Sequence, residues 1–176
     1  YTTAGRNVIP YLKTRGISEI DILVITSLNK NEFRNLKFLA ENFPIRKIFV
    51  PEYYRSVFGN IDLSVSFKSI NIEYVRASGI INRRGTFRLY LYYDSLYHGS
   101  SMMAQFTYGN RNFLFDDPGE FYDDAVNSML LPGEMKYDVL RAGTFDNTSA
   151  DFIVKSSPDY AIITTASGRK KPGSEI

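Results

Sequence analysis

Hydrophobic residues recur with two different spacings along the first part of the chain. Helical spacing of apolar positions alternates with short β-branched runs that have the length of buried strands. Gly16 and Pro44 are placed to end the two longer helical segments, and Gly59 to end a short one that opens at Pro51. The predicted elements are helices over 7–15, 31–42 and 51–59 and strands over 21–26, 47–50 and 70–75. This order predicts a β-α-β unit with parallel strands.

The pattern changes after residue 79, where aromatic residues dominate. Three aromatic-rich runs, the last two separated by a Gly109-Asn110 turn, predict an antiparallel sheet. Helix and strand patterns then alternate again to the end. The predicted elements are strands over 86–93, 102–108, 111–115, 138–142 and 160–164 and helices near 120–130 and 149–155. We expect a mixed α/β fold with two sheets, helices outside, in one domain over 1–176.

Composition narrows the chemistry that this domain can carry. The 176 residues are 44% hydrophobic with a net charge of +2, which is typical of a folded soluble domain. The absence of cysteine excludes disulfides, thiolate zinc sites, iron–sulfur clusters and a cysteine nucleophile, and one histidine excludes a His-rich metal site. That histidine, His98, lies in a Gly/Ser stretch without an oxyanion motif, which favours a surface residue over a general base.

Several acidic residues near position 120 allow two interpretations. Their carboxylates suit a hard cation such as Mg²⁺ or Ca²⁺. However, Asp117-Pro118-Gly119-Glu120 places an acid, a proline and a second acid where a helix N-terminus favours them. The pattern therefore favours Asp117 as a helix cap. The group comprises Asp116, Asp117, Glu120, Asp123 and Asp124.

A basic group lies among the aromatic residues. Arg76, Arg83, Arg84 and Arg88 alternate with Phe87, Tyr90, Tyr92 and Tyr93, a combination that nucleic-acid surfaces use. The alternative is a basic hairpin tip leading into an ordinary strand. Alternation would bury about half of these rings if either face of the strand is core.

Residues 5–26, Gly-Arg-Asn-Val-Ile-Pro-Tyr-Leu-Lys-Thr-Arg-Gly-Ile-Ser-Glu-Ile-Asp-Ile-Leu-Val-Ile-Thr, closely resemble the metallo-β-lactamase-like domain of the ComEC competence proteins, which are bacterial DNA-uptake channels. Later stretches, Asp138-Val-Leu-Arg-Ala-Gly143 and Pro158-Asp-Tyr-Ala-Ile-Ile-Thr164, are similar to that family as well. The resemblance implies an αββα sandwich of two mixed sheets with helices outside. The chain begins at Tyr1 without Met, so we expect a fragment of a longer protein that lacks the first strands of this fold.

The family's metal-binding motifs are degenerate in this chain. The motif T-H-x-[HD]-x-D-H-x-G-G-L is matched by Thr26 to Leu36. Its metal-ligating histidine and aspartate positions are occupied here by Ser27, Asn29, Asn31 and Glu32. L-L-T-G-D is matched at 114–117 with one acid retained, and G-H-H-G-S at 143–147 has lost both histidines. We therefore expect no metal, no cofactor and no catalytic residue. The degenerate positions are Ser27, Asn29, Asn31, Glu32, Asp117, Thr144 and Phe145.

The resemblance implies a role in bacterial competence. We expect a non-catalytic interaction or scaffold domain of a ComEC-like DNA-uptake protein, attached to the inner membrane, with the channel portion of the same protein as a partner and no small-molecule substrate. Two alternatives stay open. One is a hydrolase or nuclease that joins Glu32, Asp117 and Asp146 to ligands from the missing strands around one hard cation; the other is a DNA-binding module that uses the four arginines weakly.

Overall fold

A computed structural model describes residues 3–57, 67, 70–94, 101–115, 136–142, 153, 154 and 156–163. The chain divides into two compact units, Tyr1–Val75 and Arg76–Ile176. The predicted helix near 120–130 and the residues His98, Asp117, Thr144, Phe145 and Asp146 lie outside the described residues. Among the described helices, none has the length and apolar character that a membrane span requires.

The first unit begins with a continuous helical segment. A π-helical turn over Ala4–Val8 leads into α1 over Ile9–Thr14, with Pro10 in the first turn where its missing N–H costs nothing. Gly16, at φ +70°, ends the helix as predicted, because only glycine adopts that left-handed conformation without strain.

A parallel three-stranded sheet follows, in the order β1-β2-β3. Its strands are β1 (Ile20–Val24), β2 (Ile45–Pro51) and β3 (Asn71–Val75), and the helices are α2 (Lys30–Asn42) and α3 (Tyr53–Val57). Leu23 pairs with Ile48, which pairs with Ile72. The β-α-β unit with parallel strands is thereby confirmed.

The core of the first unit lies between this sheet and its helices. Leu36 and Leu39 on α2 are buried at helical spacing, and Ile48 and Val50 are buried on β2. Phe33 and Ala40 pack against the same cluster from partly buried positions. The apolar residues at helical spacing in the second predicted helix therefore meet the core.

The second unit is a six-stranded mixed sheet in the order β4-β5-β6-β7-β8-β9. Strands β4 to β7 pair antiparallel, and the pairs β7–β8 and β8–β9 are parallel. The strands are β4 (Ala77–Arg84), β5 (Phe87–Asp94), β6 (Met103–Tyr108), β7 (Arg111–Phe115), β8 (Val139–Ala142) and β9 (Tyr160–Ile163). The predicted antiparallel sheet and the Gly109-Asn110 turn are confirmed, with Gly109 at φ +63°.

Strand β4 corrects the sequence-based interpretation, which assigned no strand there. Arg83 and Arg84 are its last residues, and the turn lies at Gly85 and Thr86. The register of β4 against β5 shifts between Ala77 and Gly79 and again between Ile80 and Asn82. These irregularities break the alternation by which a strand is recognised in a sequence.

Buried aromatic and aliphatic side chains form the core of the second unit. Tyr92, Met103, Leu114, Tyr137 and Leu140 make one cluster, against which Tyr90 and Ile153 pack. On β5 the burial exceeds the expectation from alternation, because Leu91, Tyr92 and Tyr93 are all buried although they point alternately to opposite faces. The second half of β5 is therefore an interior strand, covered on both faces.

Candidate functional site

The first degenerate motif occupies the connection between β1 and α2. Leu28 is buried, and its backbone N–H donates a hydrogen bond of 2.8 Å to the Tyr54 hydroxyl oxygen on α3. Ser27 beside it is half-buried. Tyr54 therefore fixes the loop that carries the candidate ligand positions, and sequence analysis did not identify it.

Asn29 and Glu32 form a capping box at the start of α2. The Asn29 Oδ1 atom accepts hydrogen bonds from the backbone N–H groups of Asn31, at 2.9 Å, and Glu32, at 3.1 Å. In return the Glu32 Oε2 atom accepts from the Asn29 backbone N–H at 2.6 Å. Both side chains thus satisfy donors that a helix N-terminus leaves without partners, and the Glu32 carboxylate also lies favourably in the helix dipole.

This arrangement changes what the motif can do chemically. A hydrolytic metal site needs several imidazoles and carboxylates that converge on one ion. Here the single carboxylate of the motif is turned back toward its own helix, and the amide oxygen of Asn29 is already shared by two N–H donors. Across the described part of the chain, no three His, Cys, Asp or Glu side chains group closely enough to hold a metal ion.

The other two degenerate motifs follow neighbouring parallel strands. β7 ends at Phe115 and β8 at Ala142, and the two strands pair in parallel from Phe113 with Val139 to Phe115 with Arg141. Asp117, Thr144 and Phe145 lie beyond these strand ends and outside the described residues. Their assignment as degenerate metal-site positions therefore stays a prediction.

Asp138, the first residue of the stretch that leads into the third motif, has a structural role that the sequence did not indicate. Its carboxylate accepts hydrogen bonds from the Arg111 guanidinium and, at 2.7 Å, from the backbone N–H of Asn112. The Arg111 hydrogen bond, followed by the one from Asn112, lowers the pKa of Asp138 below its ordinary value. The Asp138 N–H also donates to the Asn112 carbonyl at 2.9 Å, so this residue ties β8 to β7 just before their pairing begins.

The four candidate nucleic-acid arginines do not form one group. Arg83 on β4 lies directly opposite Arg88 on β5, and Arg84 lies opposite Phe87, which brings three arginines to the turn end of this hairpin. Arg76 precedes the other end of β4, roughly 20 Å away at about 3.3 Å per residue. Arg76 and Arg88 are both exposed. The basic group therefore consists of Arg83, Arg84 and Arg88, and Arg76 stands apart.

Aromatic side chains line one face of the strands from β5 to β7. The Phe106 and Phe113 rings stack with centroids 4.4 Å apart and planes at 8°, and Phe87 and Phe115 approach Phe106 at 5.8 and 6.3 Å. Phe115 is exposed, and two residues on the same face of β9, Tyr160 and Ile162, are exposed in register with this row. We call this surface the aromatic face. Exposed apolar side chains in one row are typical of a surface that meets another molecule.

A buried pair of tyrosines lies on the opposite face of the same sheet. The Tyr92 hydroxyl donates to the Gln105 side-chain oxygen at 2.5 Å. Burial, with a smaller contribution from Tyr90, raises the pKa of Tyr92 to about 12. The hydroxyl of Tyr137 is fully buried and has no hydrogen-bond partner within 3.5 Å among the described residues, and burial, followed by the neighbouring Tyr92 hydroxyl, raises its pKa as well. Both phenols are therefore held neutral, and neither is a base at ordinary pH.

Comparison with known proteins gives structural likeness only. No protein-family model matches the chain, and no curated protein sequence does. Among solved structures it is similar to zinc-bound PqqB from Methylobacterium extorquens, with 10% identity and a TM-score of 0.49 over 78% of this chain and 46% of PqqB. It is also similar to the short form of human tRNase Z, with 13% identity and a TM-score of 0.51 over 84% of this chain and 76% of that protein.

The chain thus spans less than half the length of PqqB. At such low identity the likeness to tRNase Z concerns the fold and not the activity. tRNase Z is a metallo-β-lactamase-fold protein, and the two sheets described above, one parallel and one mixed, are consistent with that fold. The chain therefore has the metallo-β-lactamase fold, a mixed α/β fold with two sheets.

Proposed function

We propose that this chain is a catalytically degenerate metallo-β-lactamase-like domain that serves as an interaction or scaffold module of a ComEC-like DNA-uptake protein. The observation that carries the proposal is the capping box of Asn29 and Glu32. Two positions that would ligate metal in the family motif are occupied by side chains that hydrogen-bond to the backbone of α2. The motif lies in the connection between β1 and α2, where its side chains stabilise the start of the helix instead of binding a metal ion.

A module without chemistry acts through its surface. The aromatic face offers stacked phenylalanine rings and exposed side chains on β7 and β9, which favours contact with a partner over solvent exposure. The resemblance of residues 5–26 to the ComEC family supports the channel portion of the same protein as that partner.

Metal content tests the loss of catalysis. Protein purified without chelator is expected to hold far less than one Zn or Mn per chain by elemental analysis, because the converging ligands that such ions need are missing from the first motif. Nuclease and phosphodiesterase assays with added Mn²⁺ or Zn²⁺ are expected to show no turnover above that of an Asp117→Ala variant. One or two ions per chain, or an activity that the Asp117→Ala variant loses, would overturn the proposal and favour the hydrolase.

A second function, weak DNA binding, is favoured by one specific observation. Arg83 and Arg88 are directly opposed across β4 and β5, which puts their Cα atoms about 5 Å apart with Arg84 adjacent. Each phosphate contact contributes about −0.9 to the slope of log K against log salt on duplex DNA, so these three arginines predict a slope of roughly −3 without sequence preference.

Arg76 provides a matched control for this test. Arg88→Ala is expected to weaken DNA binding and to make the salt slope about one unit shallower, whereas Arg76→Ala, which removes the same charge at the far end of β4, should change it little. Absence of binding at about tens of micromolar protein in low salt, or equal effects of the two variants, would rule out this hairpin end as a DNA-contact surface.

A further inference from the structure

The first helix exposes apolar side chains beside those that it buries in the core. Ala4 and Ile9 are buried and hold the helix to the core of the first unit. Val8, Tyr11 and Ile17, however, are 38%, 58% and 40% exposed. Val8, Tyr11 and Arg15 follow one another at spacings of three and four residues, so they lie along one stripe of the helix. We call the three apolar side chains, together with Arg15, the α1 patch.

The end of the helix keeps Ile17 within this patch. The backbone N–H of Gly16 donates to the Lys13 carbonyl and that of Ile17 to the Leu12 carbonyl, both at 3.0 Å. These two bonds form a Schellman motif, which folds the chain back over the last helical turn. Ile17 is therefore held beside α1 rather than carried away from it.

The patch is positively charged as well as apolar. Arg15 is exposed and forms no ion pair with a described residue, whereas Lys13, also exposed, lies on the opposite flank of the helix. The Arg15 guanidinium lies 5.7 Å from the centre of the Tyr11 ring, so charge and aromatic surface face the same side. The first acidic residue in the sequence is Glu19, whose carboxylate lies 3.8 Å from Arg46.

We propose that the α1 patch binds the surface of an anionic phospholipid bilayer. Exposed aliphatic side chains beside cations, with a tyrosine between them, are the combination by which helices lie in the lipid–water interface. The lipid phosphates complement Arg15, and the acyl boundary takes up Val8 and Ile17. A nucleic-acid strand would complement the arginine but would leave these aliphatic side chains in water.

Vesicle sedimentation with the full chain tests this inference, which is independent of the proposed loss of catalysis. Phosphatidylcholine vesicles with about one third phosphatidylglycerol are expected to bind the protein, and pure phosphatidylcholine vesicles to bind much less. Binding should weaken as salt rises, because the attraction acts only within the screening length. Equal partitioning to both vesicles, or none to either, would overturn the proposal.

Variants locate the contact. A cation near an anionic bilayer is worth about five-fold in partitioning, so Arg15→Gln should reduce binding about five-fold. The control Lys13→Gln removes the same charge from the opposite flank of the same helix and should have a much smaller effect. If the control weakens binding as much as the patch variant, binding depends on net charge and the assignment is wrong.

A separate variant tests the apolar half of the patch without altering charge. Val8→Ser/Tyr11→Ser is expected to weaken partitioning several-fold, with Val154→Ser, at an exposed valine of the second unit, as its control. Circular dichroism confirms that each variant is folded before it is compared. Loss of binding in the charge variant alone would overturn the insertion of apolar side chains and favour contact with an acidic protein surface.

Discussion

Asn29 determines where α2 begins, because its side chain supplies the first acceptor for the N–H groups of the helix. Replacing this residue by alanine leaves those donors to water, and loss of such a cap typically costs about 1 kcal/mol. We therefore expect Asn29→Ala to lower the free energy of unfolding by about 1 kcal/mol in urea denaturation. The same reasoning predicts that Asn29→Asp is tolerated.

Substitutions of Asn31 and Glu32 test whether the loss of stability comes from the capping hydrogen bonds. Asn31→Ala should change stability by less than about 0.5 kcal/mol, because only its backbone takes part in the cap. Glu32→Gln in the Asn29→Ala background should cost less than in the parent, since the two side chains act as one reciprocal unit. If Asn29→Ala is as stable as the parent, the capping account of the degenerate motif fails.

Tyr54 is the second residue on which the motif loop depends. Tyr54→Phe keeps the buried ring but removes the acceptor for the Leu28 N–H, which leaves a buried donor without that partner. We expect a loss of about 1–3 kcal/mol in the free energy of unfolding. Tyr11→Phe, at an exposed tyrosine, is the matched control and should be nearly neutral. Equal effects of the two variants would contradict a role for the hydroxyl in holding the loop.

Asp138 should make stability depend on pH in the acid range. Its pKa is lowered in the folded state from an ordinary value of 3.8, chiefly by Arg111, so the unfolded chain takes up this proton first as pH falls. The stabilisation is complete above about pH 5 and is lost as pH falls through the folded pKa. Asp138→Asn should therefore be less stable than the parent in urea at neutral pH, and the difference should shrink as the pH falls below the ordinary pKa of the carboxyl group. A constant difference across this range would contradict the assignment.

At the scale of helices and strands, regular patterns were predictable and irregular ones were not. The spacing of Leu36 and Leu39 and the β-branched run of β1 each carry one clear period, so α2, β1 and the parallel pairing followed from the sequence. Strand β4 did not, because two register shifts interrupt its alternation near Gly79 and Ile80. Strand β4 forms through its hydrogen bonds to β5, and a contact between two strands cannot be recognised from the local pattern of one of them.

The two buried tyrosines of the second sheet predict opposite effects of the same substitution. Tyr92→Phe removes a hydrogen bond to Gln105 and should cost about 1 kcal/mol. Tyr137→Phe removes a buried hydroxyl that has no hydrogen-bond partner among the described residues and should be neutral or stabilising. Urea denaturation of both variants checks this pair. A larger loss in Tyr137→Phe than in Tyr92→Phe would show that the Tyr137 hydroxyl is hydrogen-bonded in solution.

For the molecule as a whole, the candidate site was identified in the sequence by motifs that lack their metal-ligating histidines. The sequence could show that the histidines of the motifs are absent, because that is a statement about residue types at fixed spacing. It could not show that Tyr54 holds Leu28, 26 residues away, or that Asp138 binds Arg111, 27 residues away. Such contacts are made by the fold, and no spacing along the chain encodes them.

The prediction of one domain can be tested through these same residues. Each compact unit has its own buried cluster, yet a unit of about 75 residues is marginal alone, because a small unit buries a smaller fraction of its surface than a larger one. We therefore expect the chain to unfold in a single transition. Hydrogen exchange measured by mass spectrometry along a urea series resolves peptides from each unit, so it reports the unfolding of each unit separately.

Variants from each unit sharpen that measurement. If the chain unfolds as one, Asn29→Ala in the first unit should lower the urea midpoint of peptides from β6 and β7 as much as that of peptides from α2. Tyr92→Phe in the second unit should likewise shift the peptides of β1 and β2. If each substitution shifts only the peptides of its own unit, the chain consists of two domains that unfold independently, because a shared transition would transmit every loss of stability to both.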